Sequence, residues 1–243
     1  MVEPWQLDAV MAYRGSSSLP AGAWIAIIFV IVVIIVVGWY FSAGARLKRQ
    51  LKAAKPWALA ELPEDTHGRV IGRAQPLTEQ LAGPLTGRPC VYYIATVEEQ
   101  RSTGRSTYWK TIVTETRGVP FVLEDGTGRA IVDPNGAQVA LDFDGNSKSG
   151  TFDNADPVQE AFLARHGQKS QGWVFNKSLR YREAMIEVGE TIAVLGSGVR
   201  EPDPNAPPEA AYRGAPPTRL RLTSSAKFPL IISDDHSTTQ TTS

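Results

Sequence analysis

The spacing of apolar and polar residues changes character twice along this chain. From Trp24 to Phe41 there is no alternation at all: the stretch is apolar on every side and carries no charge. A helix of about 18 residues rises about 27 Å, the depth of a bilayer's hydrocarbon, and closes its own backbone hydrogen bonds there. The run is too long for a strand and too uniformly apolar for an ordinary core helix. The pattern predicts a transmembrane helix over residues 23–41. Trp24 at one end, with Trp39 and Tyr40 at the other, places amphipathic rings at headgroup level. A cleaved signal peptide is the competing reading. Ser42-Ala43-Gly44-Ala45 offers small residues to a peptidase, but the leader lacks a basic start.

The second texture is a basic stalk, 42–67. Arg46, Lys48, Arg49, Lys52 and Lys55 lie in a stretch of helix-forming composition that Pro56 and Pro63 interrupt. Residues 1–22 hold Glu3, Asp8 and one cation, Arg14. That asymmetry predicts an extracytoplasmic leader and a cytoplasmic soluble domain, with the stalk cations drawn to anionic lipid.

From Gly68 the pattern turns to short β-branched and aromatic runs between Gly, Pro, Asn and Asp. Strands are expected at Arg69–Ala74, Val91–Glu98, Tyr108–Glu115, Phe121–Glu124, Ala130–Val132, Gln138–Leu141, Leu179–Val188, Glu190–Leu195, Leu220–Leu222 and Pro229–Ser233. Asp125-Gly126-Thr127-Gly128 and Asp133-Pro134-Asn135-Gly136 are turn sequences. Asp142 to Asn154 reads as a loop. Asp156-Pro157 opens a short helix that Gly167 ends, with Val158, Phe162 and Leu163 as its apolar stripe. Glu201 to Pro217 reads as a loose Pro/Ala-rich loop and 234–243 as a disordered tail. The expected fold is α+β, mainly β. It has an N-terminal transmembrane helix, then a small barrel-like or curled antiparallel sheet with one packed helix over 68–233.

Composition narrows the chemistry. Twenty-five Lys+Arg balance 25 Asp+Glu, which argues against a nucleic-acid footprint. One cysteine, Cys90, permits no intramolecular disulfide and no Cys-rich zinc module. Cys90 heads an apolar strand and reads as a small core residue rather than a nucleophile. His67, His166 and His236 lie far apart among polar or Gly residues and read as surface histidines. Glu124, Asp125 and Asp133 read as turn residues rather than a cation site. Leu195-Gly196-Ser197-Gly198-Val199 lacks the form of a nucleophile elbow. No catalytic residue, cofactor or metal is expected.

Several blocks together carry a resemblance. They are Pro84-Leu85-Thr86-Gly87-Arg88-Pro89-Cys90 with Val91-Tyr92-Tyr93, and Phe121 to Ala130 with Glu124, Asp125, Gly126 and Gly128. Glu183, Val188-Gly189-Glu190, Gly196, and Phe228 to Ser233 with Ile232 follow. In order and spacing they resemble the GIDE-type, or beside-a-membrane, domain over roughly Gly68 to Ser233. That family includes a mitochondrial ubiquitin ligase and bacterial relatives. The resemblance implies a membrane-proximal regulatory or partner-binding domain and supplies no catalytic residues. Ligase activity of the RING kind does not carry over, since one cysteine cannot complete the zinc ligands. The expectation is a single-pass, membrane-anchored, non-catalytic module whose partners are the lipid bilayer and a protein near it. The alternatives are a structural homo-oligomeric scaffold and an enzyme of unknown class using Cys90 or the acidic loop residues.

Overall fold

The computed structural model describes residues 24–25, 27–28, 30–32, 38, 42–143, 145–149, 156–168, 178–202, 218–225 and 228–240; among them, after the apolar run, lie twelve strands and two helices. The strands are β1 (His67–Pro76), β2 (Leu81–Ala82), β3 (Pro89–Ser102), β4 (Thr107–Gly118), β5 (Phe121–Glu124) and β6 (Arg129–Val132). They continue with β7 (Gln138–Ala140), β8 (Gly145–Ser149), β9 (Leu179–Glu187), β10 (Thr191–Pro202), β11 (Thr218–Thr223) and β12 (Ile231–Ser233). A stalk helix covers Ala43–Ala53 and a short helix Pro157–Arg165. Residues Arg46–Ser243 form one compact unit and Met1–Ala45 another.

Alternation builds a closed barrel. β1, β5, β6, β11 and β10 pair in turn, and β10 pairs back onto β1 from Thr191 to Ser197. Counted within the barrel the order is 1-2-3-5-4-1, the Greek-key arrangement of an OB-type barrel. Val70 and Ala74 face inward with Phe121, Leu123, Ala130, Val132, Ile192, Val194, Leu220 and Leu222, all in the main buried cluster. These are every-second positions, as a strand with one face to the core requires.

A second sheet runs β2-β3-β9-β8, with β4 on the free edge of β3. Its β3–β4 hairpin continues past the end of β9, which stops opposite Glu99. The short helix has a complete capping box between Asp156 and Gln159 with Pro157 at its start, and buries Phe162 and Leu163.

Several expectations are corrected. The sheets are not purely antiparallel: β11 runs parallel to β6 and β12 parallel to β7, because the closing strand returns along an already antiparallel hairpin. The loop expected at Asp142–Asn154 contains β8, paired to β9 from Gly145 to Ser149. Backbone pairing with a strong neighbour makes a strand there despite the Gly/Ser-rich composition. The expected one packed helix has a companion. Leu47, Leu51 and Ala54 of the stalk lie against the outer face of the barrel, on Ile71, Ala193, Leu195 and Ile231. Residues 234–243 do not read as a disordered tail in full. Thr238 is completely buried, and Ser237, Thr238 and Thr239 all donate to Asp235.

Along the apolar run, Trp24, Ile25, Ile27, Ile28, Val30, Ile31, Val32 and Gly38 are helical. Among the described residues no helix is long and apolar enough to cross a membrane. Trp39 and Tyr40, the leader and residues 203–217 lie outside the described residues.

Candidate functional site

The family-motif residues do not converge on one pocket; they sit at separate joints of the fold. The first joint is Glu183 on β9. Its side chain is 2% exposed, and it accepts the Leu85 N–H at 2.9 Å and the Thr86 hydroxyl at 2.6 Å. A carboxylate is buried here because neutral donors surround it. Gly87, at φ 70°, closes the loop by donating to the Gly83 carbonyl at 2.8 Å. Pro84 lies beside Val158 and Phe162 of the short helix. Cys90 follows, fully buried; burial first, then Glu183 and Glu187, push its thiol up to about 11. A thiol so placed is a core residue and a poor nucleophile.

The second joint is the turn after β5. Asp125 accepts N–H bonds from Leu59 (2.7 Å), Thr127 (2.8 Å) and Gly128 (3.0 Å). Burial opposes its charge, but those donors hold its carboxyl below the usual range. Gly126 supplies the positive φ of the turn. Glu124 pairs with Arg129 at 3.2 Å on the surface, and Phe121 lies wholly in the core. A third joint links β9 to β10. The Glu190 side chain accepts from the Glu187 N–H, while Gly189 and Glu190 exchange backbone bonds with Ala74 of β1. At the fourth, Gly196 stands under Leu230, where a Cβ would meet its Cδ1 at 2.6 Å. Ile232 fills the core beside it, and buried Ser233 accepts the Asp235 N–H.

The stalk is the fifth joint and the most elaborate. Lys48 donates to Asp142 at 2.9 Å and to Asp235. Burial alone would lower the Lys48 ammonium, but the two aspartates raise it. Asp235 is likewise penalised by burial, yet Lys48 and Ser237 hold it at about 2. Asp234 behaves oppositely. Burial, with Glu190 and Asp142 nearby, pushes it up to about 7, although it accepts the Asp142 N–H with both oxygens at 3.1 Å. After the helix, Trp57 N–H bonds Arg69 carbonyl and Arg69 N–H bonds Lys55 carbonyl; Asp65 N–H then reaches Gly198. Leu59 and Leu62 are buried in the main core. The whole segment Leu47–Asp65 is therefore fastened along the barrel wall. Of the stalk cations read as lipid-facing, Lys48 is ion-paired to the barrel, Arg46 is exposed and Arg49 half-buried. Trp24 is exposed.

Two histidines are not simple surface groups. His67 stacks on Phe228 at 4.6 Å, and burial lowers its imidazole. His166 meets Glu115 at 2.6 Å, where Arg165 and the Tyr93 hydroxyl also bond. That cluster ties the short helix to β3 and β4. Sequence reading missed Asp142 and Asp235 as partners of the stalk. The available signal was charge complementarity: two adjacent aspartates follow the last strand of a chain whose stalk is basic.

Open grooves are shallow. One of about 680 Å³ lies between β4 and the Asp133–Gly136 turn, lined by Tyr92, Arg117, Pro120, Pro134 and Asn135. On the outer face of β5, β6 and β11, where OB barrels receive extended ligands, Arg219 and Arg221 both pair with Glu201. With Arg129 paired to Glu124 as well, the cations of that face are matched by carboxylates.

Residues 92–207 match the family model GIDE, described as E3 Ubiquitin ligase. The chain carries a GIDE-type domain. Comparison with curated proteins and with solved structures finds no match. The matched stretch of the GIDE-type domain starts on β3 and ends after β10, so it covers the second sheet except β2 and the start of β3, and three barrel strands. β1 and β11, which close the barrel, lie outside it. The fastening of the stalk draws on both sides of that boundary: Asp125, Asp142, Ala193, Leu195 and Gly198 lie within the match, and Arg69, Ile231 and Asp235 outside it.

Proposed function

We propose that the protein is a single-pass, membrane-anchored, non-catalytic partner-binding or regulatory module, with its barrel held beside the cytoplasmic face of a bilayer. The observation that carries this reading is the fastened stalk. The segment that follows the apolar run in sequence is not a free linker; it is bonded to the barrel from Lys48 to Asp65. A tether of that kind restricts where the barrel can reach and raises its effective concentration near membrane-bound partners. The exposed apolar side chains of the helical run, Ile25 at 70% among them, support lipid as its surroundings. The basic residues after the run support the cytoplasmic side.

The non-catalytic part is supported by the roles of the motif residues, since each one placed in the structure packs in the core, joins elements or pairs on the surface. Ligase chemistry attaches to the family's description and is not carried to this chain, whose one cysteine cannot complete a RING. The test is proximity labelling with the full chain and with a chain lacking residues 24–41. The anchored chain is expected to label a distinct set of bilayer proteins. Identical labelling by both chains contradicts the reading.

A further inference from the structure

We propose that the groove beside the end of the stalk helix binds a singly charged amphiphile, a carboxylate on an apolar body, with Arg69 and His67 meeting the carboxylate and Leu195, Phe228 and Pro229 the body. The groove holds about 430 Å³, within the range of small-ligand sites. Its apolar walls come from Ala53 and Ala54 at the helix end, Leu195 of β10, and Phe228 and Pro229 ahead of β12. His67 lines it as well and stacks on Phe228, so the polar end and the apolar wall are in contact.

Arg69 is the observation that carries the proposal. It is 2% exposed, its Nε has no hydrogen-bond partner, and among the described residues no carboxylate pairs with its guanidinium. Arginine keeps its proton at any ordinary pH, so this is a buried positive charge without a counter-charge, which a fold tolerates poorly. His67 repeats the pattern two residues earlier: its Nδ1 is also buried and without a partner. The strand places both at the groove. Alternate residues of β1 share a face, and so do residues paired across to β10. Arg69 stands opposite Leu195, and His67 opposite Ser197. Arg69 thus lies between two side chains that line the groove, His67 and Leu195, in its floor. Its backbone is fixed there by the Lys55 carbonyl on one side and the Trp57 N–H on the other.

The charge of the pair selects the ligand. Burial lowers the His67 imidazole, so near pH 7 the two side chains carry one positive charge between them, matched by one negative charge rather than two. Two positions on a strand lie about 7 Å apart, close enough for the two oxygens of one carboxylate to serve both nitrogens. A water molecule would satisfy either nitrogen but leave the charge unmatched. The apolar walls then favour an acid with a hydrocarbon body over a small hydrated anion.

The test follows the Arg69 Nε–H and His67 ring resonances of the full chain, in nanodiscs of neutral phosphatidylcholine near pH 7, during titration with octanoate. Octanoate is expected to shift both signals saturably. Octanol, which lacks the charge, and acetate and inorganic phosphate, which lack the body, are each expected to bind about tenfold more weakly. Arg69→Met is expected to remove the saturable response at His67. No saturable shift with octanoate overturns the proposal. So does an equal affinity for octanol, acetate or phosphate, or an octanoate affinity that survives in Arg69→Met. The β10 amides report whether that variant folds. If it does not, Phe228→Ala carries the test, at an exposed position: affinity about fivefold lower is expected, and unchanged affinity overturns the proposal. The site does not rest on the anchored reading, since binding is read at Arg69 and His67 and anchoring by retention in the bilayer.

Discussion

The closed barrel and the open second sheet use the same kinds of residue to different ends. In the barrel, β10 is buried continuously from Ile192 to Gly198 because the core lies on one side and the stalk or its neighbours on the other. In the second sheet, β3 is buried only in its first half, and from Gln100 onward the β3–β4 hairpin stands in solvent with Tyr108 47% exposed. The difference teaches where constraint lies. The barrel and its stalk form a fixed base, and the hairpin is the part free to vary or to meet a partner. The joint at Glu183 is the exception that binds the open sheet's inner half as tightly as the barrel.

Substitutions can break or sharpen that contrast. The largest loss is expected from Glu183→Ala, which empties a buried site and leaves the half-buried Leu85 N–H and the Thr86 hydroxyl without their acceptor. Denaturant unfolding should show about 3 kcal/mol less stability, with Glu183→Gln losing less. An Ala variant as stable as the native chain would remove Glu183 from the base. Gly72→Ala comes next. A Cβ there would stand 2.7 Å from the Glu124 carbonyl oxygen, a backbone atom that cannot swing aside, and a loss of about 2 kcal/mol is expected by the same method. Gly104→Ala, at the hairpin turn, meets no atom within 4 Å and has only its φ of 83° against it. It should cost about 1 kcal/mol. Equal losses at the two glycines would erase the distinction between base and hairpin.

Acid should act on the base as well. The Asp235 carboxyl is lower folded than unfolded, so its contribution is present above the ordinary aspartate range and is lost as pH falls from about 4 toward 2. Asp235→Asn is expected to lower the melting temperature at neutral pH and to flatten part of that acid loss; an unchanged acid limb would contradict the Lys48 pairing. The smallest effect concerns Cys90. A thiol reagent should label it only as fast as the chain unfolds, and rapid native-state labelling would restore it as a candidate nucleophile.

Much of the barrel was legible because half-buried strands alternate: Phe121-Val122-Leu123-Glu124 and Leu220-Arg221-Leu222 announce themselves. The parallel pairings were not legible, since nothing local in Thr218–Thr223 says which neighbour it will meet. β8 escaped because Gly-Asn-Ser-Lys-Ser has the composition of a loop, and only pairing with β9 makes it a strand. The residues of the GIDE-type resemblance lie at joints of the fold, and their part in fastening depends on contacts such as Asp125 to Leu59, 66 residues apart. The sequence places the stalk cations beside anionic lipid because they directly follow the apolar run. Lys48 is held instead by aspartates 94 and 187 residues away, a distance no local pattern spans.

Membranes carrying the full chain, washed in alkaline carbonate, weigh the anchored-module proposal in a single step. The protein is expected to remain with the bilayer pellet, and a chain lacking residues 24–41 to leave it. Full-length protein recovered in the supernatant would contradict the anchor and, with it, the reading of the barrel as a module held beside a membrane.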